Sequence, residues 1–200
     1  GAVYEIDLDA LAPMRRIPAP APAGFFGSAL AVAGNTLFVG APSAPSLDLQ
    51  LGSLHELDVA TGAFLRTTGN PEPRQGRGYG RALAVGGGRL VVAAPLSPAE
   101  PALPNVLYVY DLATRALERT IADPDGSSSG FGSGLLIVGD FLLASTSREA
   151  SPGAVYVFSL ATGAYLRTLY SPDADHANSF GWALASVGGL VAVGAPLSEG

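Results

Sequence analysis

Phe180–Pro196 reads FGWALASVGGLVAVGAP: an aromatic-Gly pair, a short apolar run, a two-glycine turn and a second apolar run that closes on Gly-Ala-Pro. Trp182–Val187 and Leu190–Ala195 flank Gly188-Gly189, and glycine accepts the positive φ of a tight hairpin turn, so the stretch predicts two antiparallel strands. The same arrangement occurs three times upstream. The aromatic-Gly pairs there are Phe26-Gly27, Tyr79-Gly80 and Phe131-Gly132, and the turns are Gly34-Asn35, Gly87-Gly88 and Gly139-Asp140. Fourteen residues after each aromatic comes a small-residue run: Gly40-Ala41-Pro42, Ala93-Ala94-Pro95, Ser145-Thr146-Ser147 and Gly194-Ala195-Pro196.

A second register agrees with the first. Tyr4, His55, Tyr108 and Tyr156 are each followed eleven residues later by Arg15, Arg66, Arg119 and Arg167, with Asp7, Asp58, Asp111 and, as the exception, Ser159 between them. These segments predict a third strand (Ala2–Leu8, Ser53–Val59, Val106–Leu112, Ala154–Leu160) and a fourth, as around Ala164–Leu169, joined by turns of the Ala-Thr-Gly type. Four antiparallel strands in a repeat of about fifty residues make one propeller blade, a unit that buries its apolar faces only against its neighbours. The expected fold is therefore an all-β propeller of four repeats in one domain, with units 1–51, 52–104, 105–152 and 153–200. The chain opens on third and fourth strands and ends on first and second ones. The last blade is accordingly expected from both termini, closing one chain into a four-bladed ring; two chains sharing their ends in an eight-bladed ring are the alternative.

The recurring residues read first as architecture. Phe26, Phe131 and Phe180 are expected to wedge between blades, while the aspartate and arginine registers are expected to fix the turn and bridge third and fourth strands. With 48% apolar residues, 200 residues can bury a substantial core, and the apolar runs are too short to span a bilayer. No cysteine is present, so disulfides and thiolate metal sites are excluded. The 11 basic residues, all arginine, are dispersed against 17 acidic ones for a net charge of −6, which disfavours nucleic acid as a partner.

Phe-Gly-x-Ala-Leu-Ala-Val at Phe26–Val32, Leu-x-Val-Gly-Ala-Pro at Leu37–Pro42 and Gly-x-Val-Tyr-Val-Phe-x-Leu at Gly153–Leu160 resemble the FG-GAP repeat. That family forms the propeller of integrin α-chain heads and occurs in bacterial surface and secreted proteins, so the resemblance implies a propeller and a secreted or cell-surface location. Ser145-Thr146-Ser147 and Tyr79 depart from the motif. The integrin-type calcium loop lies where this chain has only two-residue turns, which cannot supply six to eight oxygens, so the family's calcium sites do not carry over. The Ala-Thr-Gly turn also resembles repeats of quinone-cofactor propellers, but Leu65-Arg66-Thr67 and Leu166-Arg167-Thr168 stand where those carry tryptophan. No cofactor is expected.

The residue after each motif glycine begins the innermost strand: Ser28, Arg81, Ser133 and Trp182. Three chemistries in one slot near the channel mouth make these the candidate ligand-binding residues, since an exposed Trp beside an Arg suits a sugar ring, a peptide or an anion. Trp182 as a plug of the axis is the competing use. His176 joins the ligand-binding candidates from a loop with Asp173, Asp175 and Asn178. That loop and Asp123 with Asp125 alternate oxygen ligands, but Pro-Asp is ordinary turn chemistry and solvated turns are expected rather than a metal site. His55 fills a tyrosine slot and reads as packing, and no nucleophile elbow, zinc-type histidine pair or phosphate loop occurs. The chain is thus expected to be a non-catalytic recognition module for a protein or glycan, without membrane insertion. A structural spacer is the alternative, and a hydrolase or lactonase comes third.

Overall fold

The computed structural model describes residues 1–20, 24–42, 52–72, 78–95, 104–126, 130–146, 152–173 and 178–197. Its regular structure there is strand, arranged in five antiparallel sheets. Strands β1 (Ala2–Asp7) and β2 (Ala12–Pro18) form a two-stranded sheet. Three four-stranded sheets follow. The first has β3 (Ala29–Ala33), β4 (Thr36–Ala41), β5 (Ser53–Asp58) and β6 (Phe64–Gly69); the second has β7 (Leu83–Gly86), β8 (Arg89–Ala94), β9 (Val106–Asp111) and β10 (Leu117–Ala122). The third has β11 (Leu135–Val138), β12 (Phe141–Ser145), β13 (Val155–Ser159) and β14 (Tyr165–Leu169), and β15 (Leu184–Val187) with β16 (Leu190–Val193) ends the series. Within each four-stranded sheet the spatial order is the chain order, as hairpin connections require.

Strand alternation sends successive side chains to opposite faces, and here the two faces feed different cores. Leu37, Val39 and Ala41 of β4 pack with Val3, Ile17, Phe26 and Leu57, while Phe38 between them packs on the other side with Tyr79, Leu90, Val92 and Tyr108. Val91 and Ala93 of β8 turn instead toward Phe131, Leu142, Ala144 and Tyr156. Each core therefore lies between consecutive sheets, and no sheet could bury its apolar residues alone. Phe26 and Phe131 occupy these seams as wedges, as expected, each edge-on to the ring of the third strand: 5.4 Å to His55 and 5.6 Å to Tyr156.

The seams are tight because glycine lines them. Gly52 (φ +72°), just before β5, bridges to Tyr79 at the start of the next sheet, and Gly153 (φ +67°) likewise to Phe180; a Cβ on either would overlap the aromatic residue's carbonyl oxygen. The third repeat departs from Gly-Ala-Pro by an exchange of sizes. Buried Ser145 replaces the small residue, and Gly134 stands opposite, where a Cβ would press on the Ser145 hydroxyl.

The aspartate register fixes the turn as expected: the Asp111 carboxylate accepts from the Thr114 amide and hydroxyl, each at 2.7 Å. The arginine register does more than bridge strands. Arg15 is held on β2 by Glu5, then donates to the carbonyls of Val59 (2.9 Å) and Ala60 (3.3 Å) in the next repeat, and Arg119 likewise reaches Leu160 (3.0 Å) and Ala161 (2.6 Å). The third-to-fourth pairing carries a register shift in all four copies, which increases local twist.

Closure of the chain into a four-bladed ring is corrected by the structure. The sheets β1–β2 and β15–β16 remain separate, and the expected pairing of N-terminal with C-terminal strands is not formed among the described residues. Inner strands β3, β7, β11 and β15 pack side by side in chain order, but β15 does not return to pack on β3 in the same way. Among the described residues, β1–β2 and β15–β16 therefore each keep a sheet edge without a strand partner.

Candidate binding face

Four equivalent turns open the inner strands. In each, the slot residue's amide donates to the carbonyl three residues back: Ser28 to Phe25 (3.1 Å), Arg81 to Gly78 (2.9 Å), Ser133 to Gly130 (2.9 Å) and Trp182 to Ser179 (3.1 Å). The preceding glycine amide holds the neighbouring strand, Gly27 to Gly40 at 3.1 Å and Gly181 to Gly194 at 3.0 Å. Because the turn consumes the residues after the glycine, the inner strand starts later than the sequence predicts, at Leu184 rather than Trp182. Four slots anticipated as geometrically equivalent are therefore equivalent, one at the start of each inner strand.

Their chemistry differs. Trp182 is 58% exposed, and Arg81 is exposed without an ion-pair partner among the described residues. The Ser28 hydroxyl donates to the Phe25 carbonyl at 2.6 Å, whereas Ser133 is half-buried and its hydroxyl lies 3.1 Å from that of Ser145. Ser133 is thus tied into the seam rather than offered to solvent. His176, with Asp175, lies outside the described residues.

One residue of this face escaped the sequence reading. Phe25 is 71% exposed and adopts φ +56°, a left-handed conformation that a bulky residue holds only at a cost. The equivalent positions are Gly78 (φ +100°), Gly130 (φ +110°) and Ser179 (φ +57°), so the turn demands this geometry whichever residue occupies it. A phenylalanine where glycine fits is the signal that points to Phe25. Its ring and that of Trp182 contrast with Tyr79, Phe131 and Tyr156, which are fully buried.

The polar groups of the carboxylate loops are taken up within the protein. Asp123 accepts from the Asp125 backbone amide at 3.1 Å, Asp125 accepts from the Tyr156 hydroxyl, and the Asn178 side-chain amide donates to the Ser171 hydroxyl at 2.7 Å. His55 is buried between the hydroxyls of Ser53 and Thr67, each 2.9 Å from a ring nitrogen, and burial lowers its pKa. Burial also pushes the Tyr79 phenol up, with the adjacent Tyr110 hydroxyl at 2.9 Å adding to it. These groups serve the seams rather than the exposed face.

No family model matches the sequence, and no curated protein matches it. Among solved structures the chain is similar to the Pan2 WD40 domain of Neurospora crassa, at 13% identity and a TM-score of 0.57 over 84% of this chain and 46% of that one. It is also similar to a europium-containing methanol dehydrogenase, at 17% identity and a TM-score of 0.51 over 75% of this chain and 26% of that one. The chain spans less than half the length of either structure. At such identities the likeness is one of fold, and it identifies the four-stranded sheets as blades of a β-propeller.

Proposed function

We propose that this chain is a non-catalytic recognition module of FG-GAP type, which takes a protein or carbohydrate ligand on the face formed by the inner-strand turns and belongs to a secreted or cell-surface protein. The observation that supports the reading is the pair of exposed aromatics, Trp182 and Phe25, presented by turns whose other aromatic residues are buried or half-buried in the seams. An aromatic ring gives a sugar or a peptide a large contact at little entropic cost, and the exposed Arg81 adds a cation suited to an anionic or hydrogen-bonding group. The resemblance to FG-GAP repeats supports the location.

Screening the chain against glycan and peptide arrays tests this reading. A ligand found there is expected to lose at least tenfold in affinity on Trp182→Ala, about 1.4 kcal/mol, and a smaller factor on Arg81→Ala. Unchanged affinity in both variants would remove this face from consideration. An array without binders favours the spacer, and turnover of ester or lactone substrates would favour the hydrolase.

A further inference from the structure

We propose that the seam between the sheets β3–β6 and β7–β10 holds a second binding site, a polar slot that takes a small monocarboxylate on Arg66 and the phenols of Tyr108 and Tyr110. It lies on the third and fourth strands, β9 and β6, rather than on the turns that open the inner strands.

The seams on either side set the pattern from which this one departs. There the fourth-strand arginine is docked: Arg15 and Arg119 donate to turn carbonyls of the next repeat, beside Gly62 and Gly163, where a Cβ would meet the arginine side chain at 2.9 Å. In the middle seam Arg115 stands at that glycine position. Its guanidinium turns back to Glu56 at 2.8 Å and lies above the Phe38 ring. Glu56 is opposite Arg66 in the strand register, just as Glu5 is opposite Arg15, which it holds. Arg115 therefore fills the place of the docked arginine and takes its carboxylate. Arg66 is left exposed, with no hydrogen bond or ion pair among the described residues.

The lining changes with it. Tyr79 replaces Phe26 and Phe131 of the flanking seams, Tyr110 replaces Leu57 and Phe158, and half-buried Thr68 replaces buried Ile17 and Ile121. The Tyr79 and Tyr110 hydroxyls are 2.9 Å apart, a bond that uses one of their two O–H protons whichever donates. Tyr108, in the same cluster, is fully buried, and its hydroxyl has no hydrogen-bond partner among the described residues. In the next seam the equivalent Tyr156 gives its proton to Asp125; Glu72 holds that position here and makes no such bond. A buried donor left unpaired is costly, so this cluster is short of acceptors.

Electrostatics define the acceptor. Burial raises the pKa of all three phenols, which keeps them protonated donors at neutral pH, while the Arg66 charge acts against that rise on Tyr79 and Tyr110. A carboxylate accepts from a guanidinium fork and from phenolic O–H groups at once. One free guanidinium matches one negative charge, and the Glu72 carboxylate, whose field reaches Tyr108, disfavours a dianion such as sulfate. Tyr110 is only 6% exposed, so entry past Arg66 admits a small molecule.

Titrating the chain, labelled with 15N-arginine, with acetate at constant ionic strength tests the slot. The readout is the Arg66 side-chain Nε–H resonance, assigned by its loss in Arg66→Gln. A saturable shift, largest at Arg66, is expected, with sulfate binding about tenfold more weakly. Tyr108→Phe and Tyr110→Phe each delete one hydroxyl and are each expected to weaken acetate binding about tenfold. Tyr108→Phe is also expected to raise the thermal midpoint of the acetate-free chain, because it removes an unpaired donor, so lost binding in that variant does not reflect lost folding. A shift that grows without saturation or equally at all arginines, sulfate binding as tight as acetate, or acetate affinity unchanged in both phenylalanine variants would overturn the proposal. None of these readouts involves Trp182 or Phe25, so the slot stands or falls separately from the inner-strand face.

Discussion

His55 replaces the tyrosine of the other repeats and is buried on its third strand. Its neutral form suits the site, since one ring nitrogen can donate and the other accept between the Ser53 and Thr67 hydroxyls. Burial lowers its pKa in the folded chain, so the unfolded chain binds more protons as pH falls below about 6.5. That contribution to stability is full above this value and is lost as pH falls through the lowered folded pKa. His55→Tyr is expected to remove this part of the slope between about pH 7 and pH 5, read as the urea midpoint against pH. The packing role of His55 was legible because the register put tyrosine in its slot three times. The register placed Phe26 in the seam, but the left-handed turn that turns Phe25 outward was not legible, because its φ is set by the turn's tertiary contacts rather than by a residue type.

At the scale of the element, the turn between third and fourth strands shows how one residue sets a local structure. Asp58 and Asp111 hold the turn through Thr61 and Thr114, and these hydrogen bonds lower both carboxyl pKa values. Ser159 has only a hydroxyl, 3.3 Å from the Thr162 amide. Ser159→Asp is therefore expected to raise the thermal midpoint at neutral pH, and the gain is expected to fade as the pH drops below about 4 and the carboxylate is protonated. A lower midpoint at neutral pH would show that the carboxylate does not hold this turn. The same turns include left-handed positions at Gly62 and Gly163, which Leu11 and Arg115 also adopt. Arg115 is held there from outside, 2.8 Å from buried Glu56 and above the Phe38 ring at 5.0 Å.

Across the whole molecule, stability resides in the seams, because each core is shared by two sheets. Gly52 tests this directly. Gly52→Ala adds a methyl group against the backbone of Tyr79 at a positive φ, and is expected to destabilise by more than about 1 kcal/mol in urea denaturation. Gly69→Ala, with open space around its Cβ and no positive φ, is the matched control and is expected to be neutral within about 0.5 kcal/mol. Equal effects would mean that the seam has room to move. The matching position at the N-terminal sheet is Gly1, whose Cβ would meet Phe26, so the contact recurs in three copies, while Asn105 stands at that position in the other.

Repeat spacing alone determined the strand order, the two-residue turns, the wedge aromatics and the equivalence of Ser28, Arg81, Ser133 and Trp182. Each depends on a local period or on a residue's own conformational range, and those are written along the chain. The tertiary structure decided that the arc stays open, that the arginines reach into the next repeat, that Ser133 is tied to Ser145 and that Phe25 faces outward beside the slots. These outcomes depend on the angle between successive sheets and on which side chains meet across a seam. Such quantities are set by packing between residues far apart in sequence, and no local spacing records them.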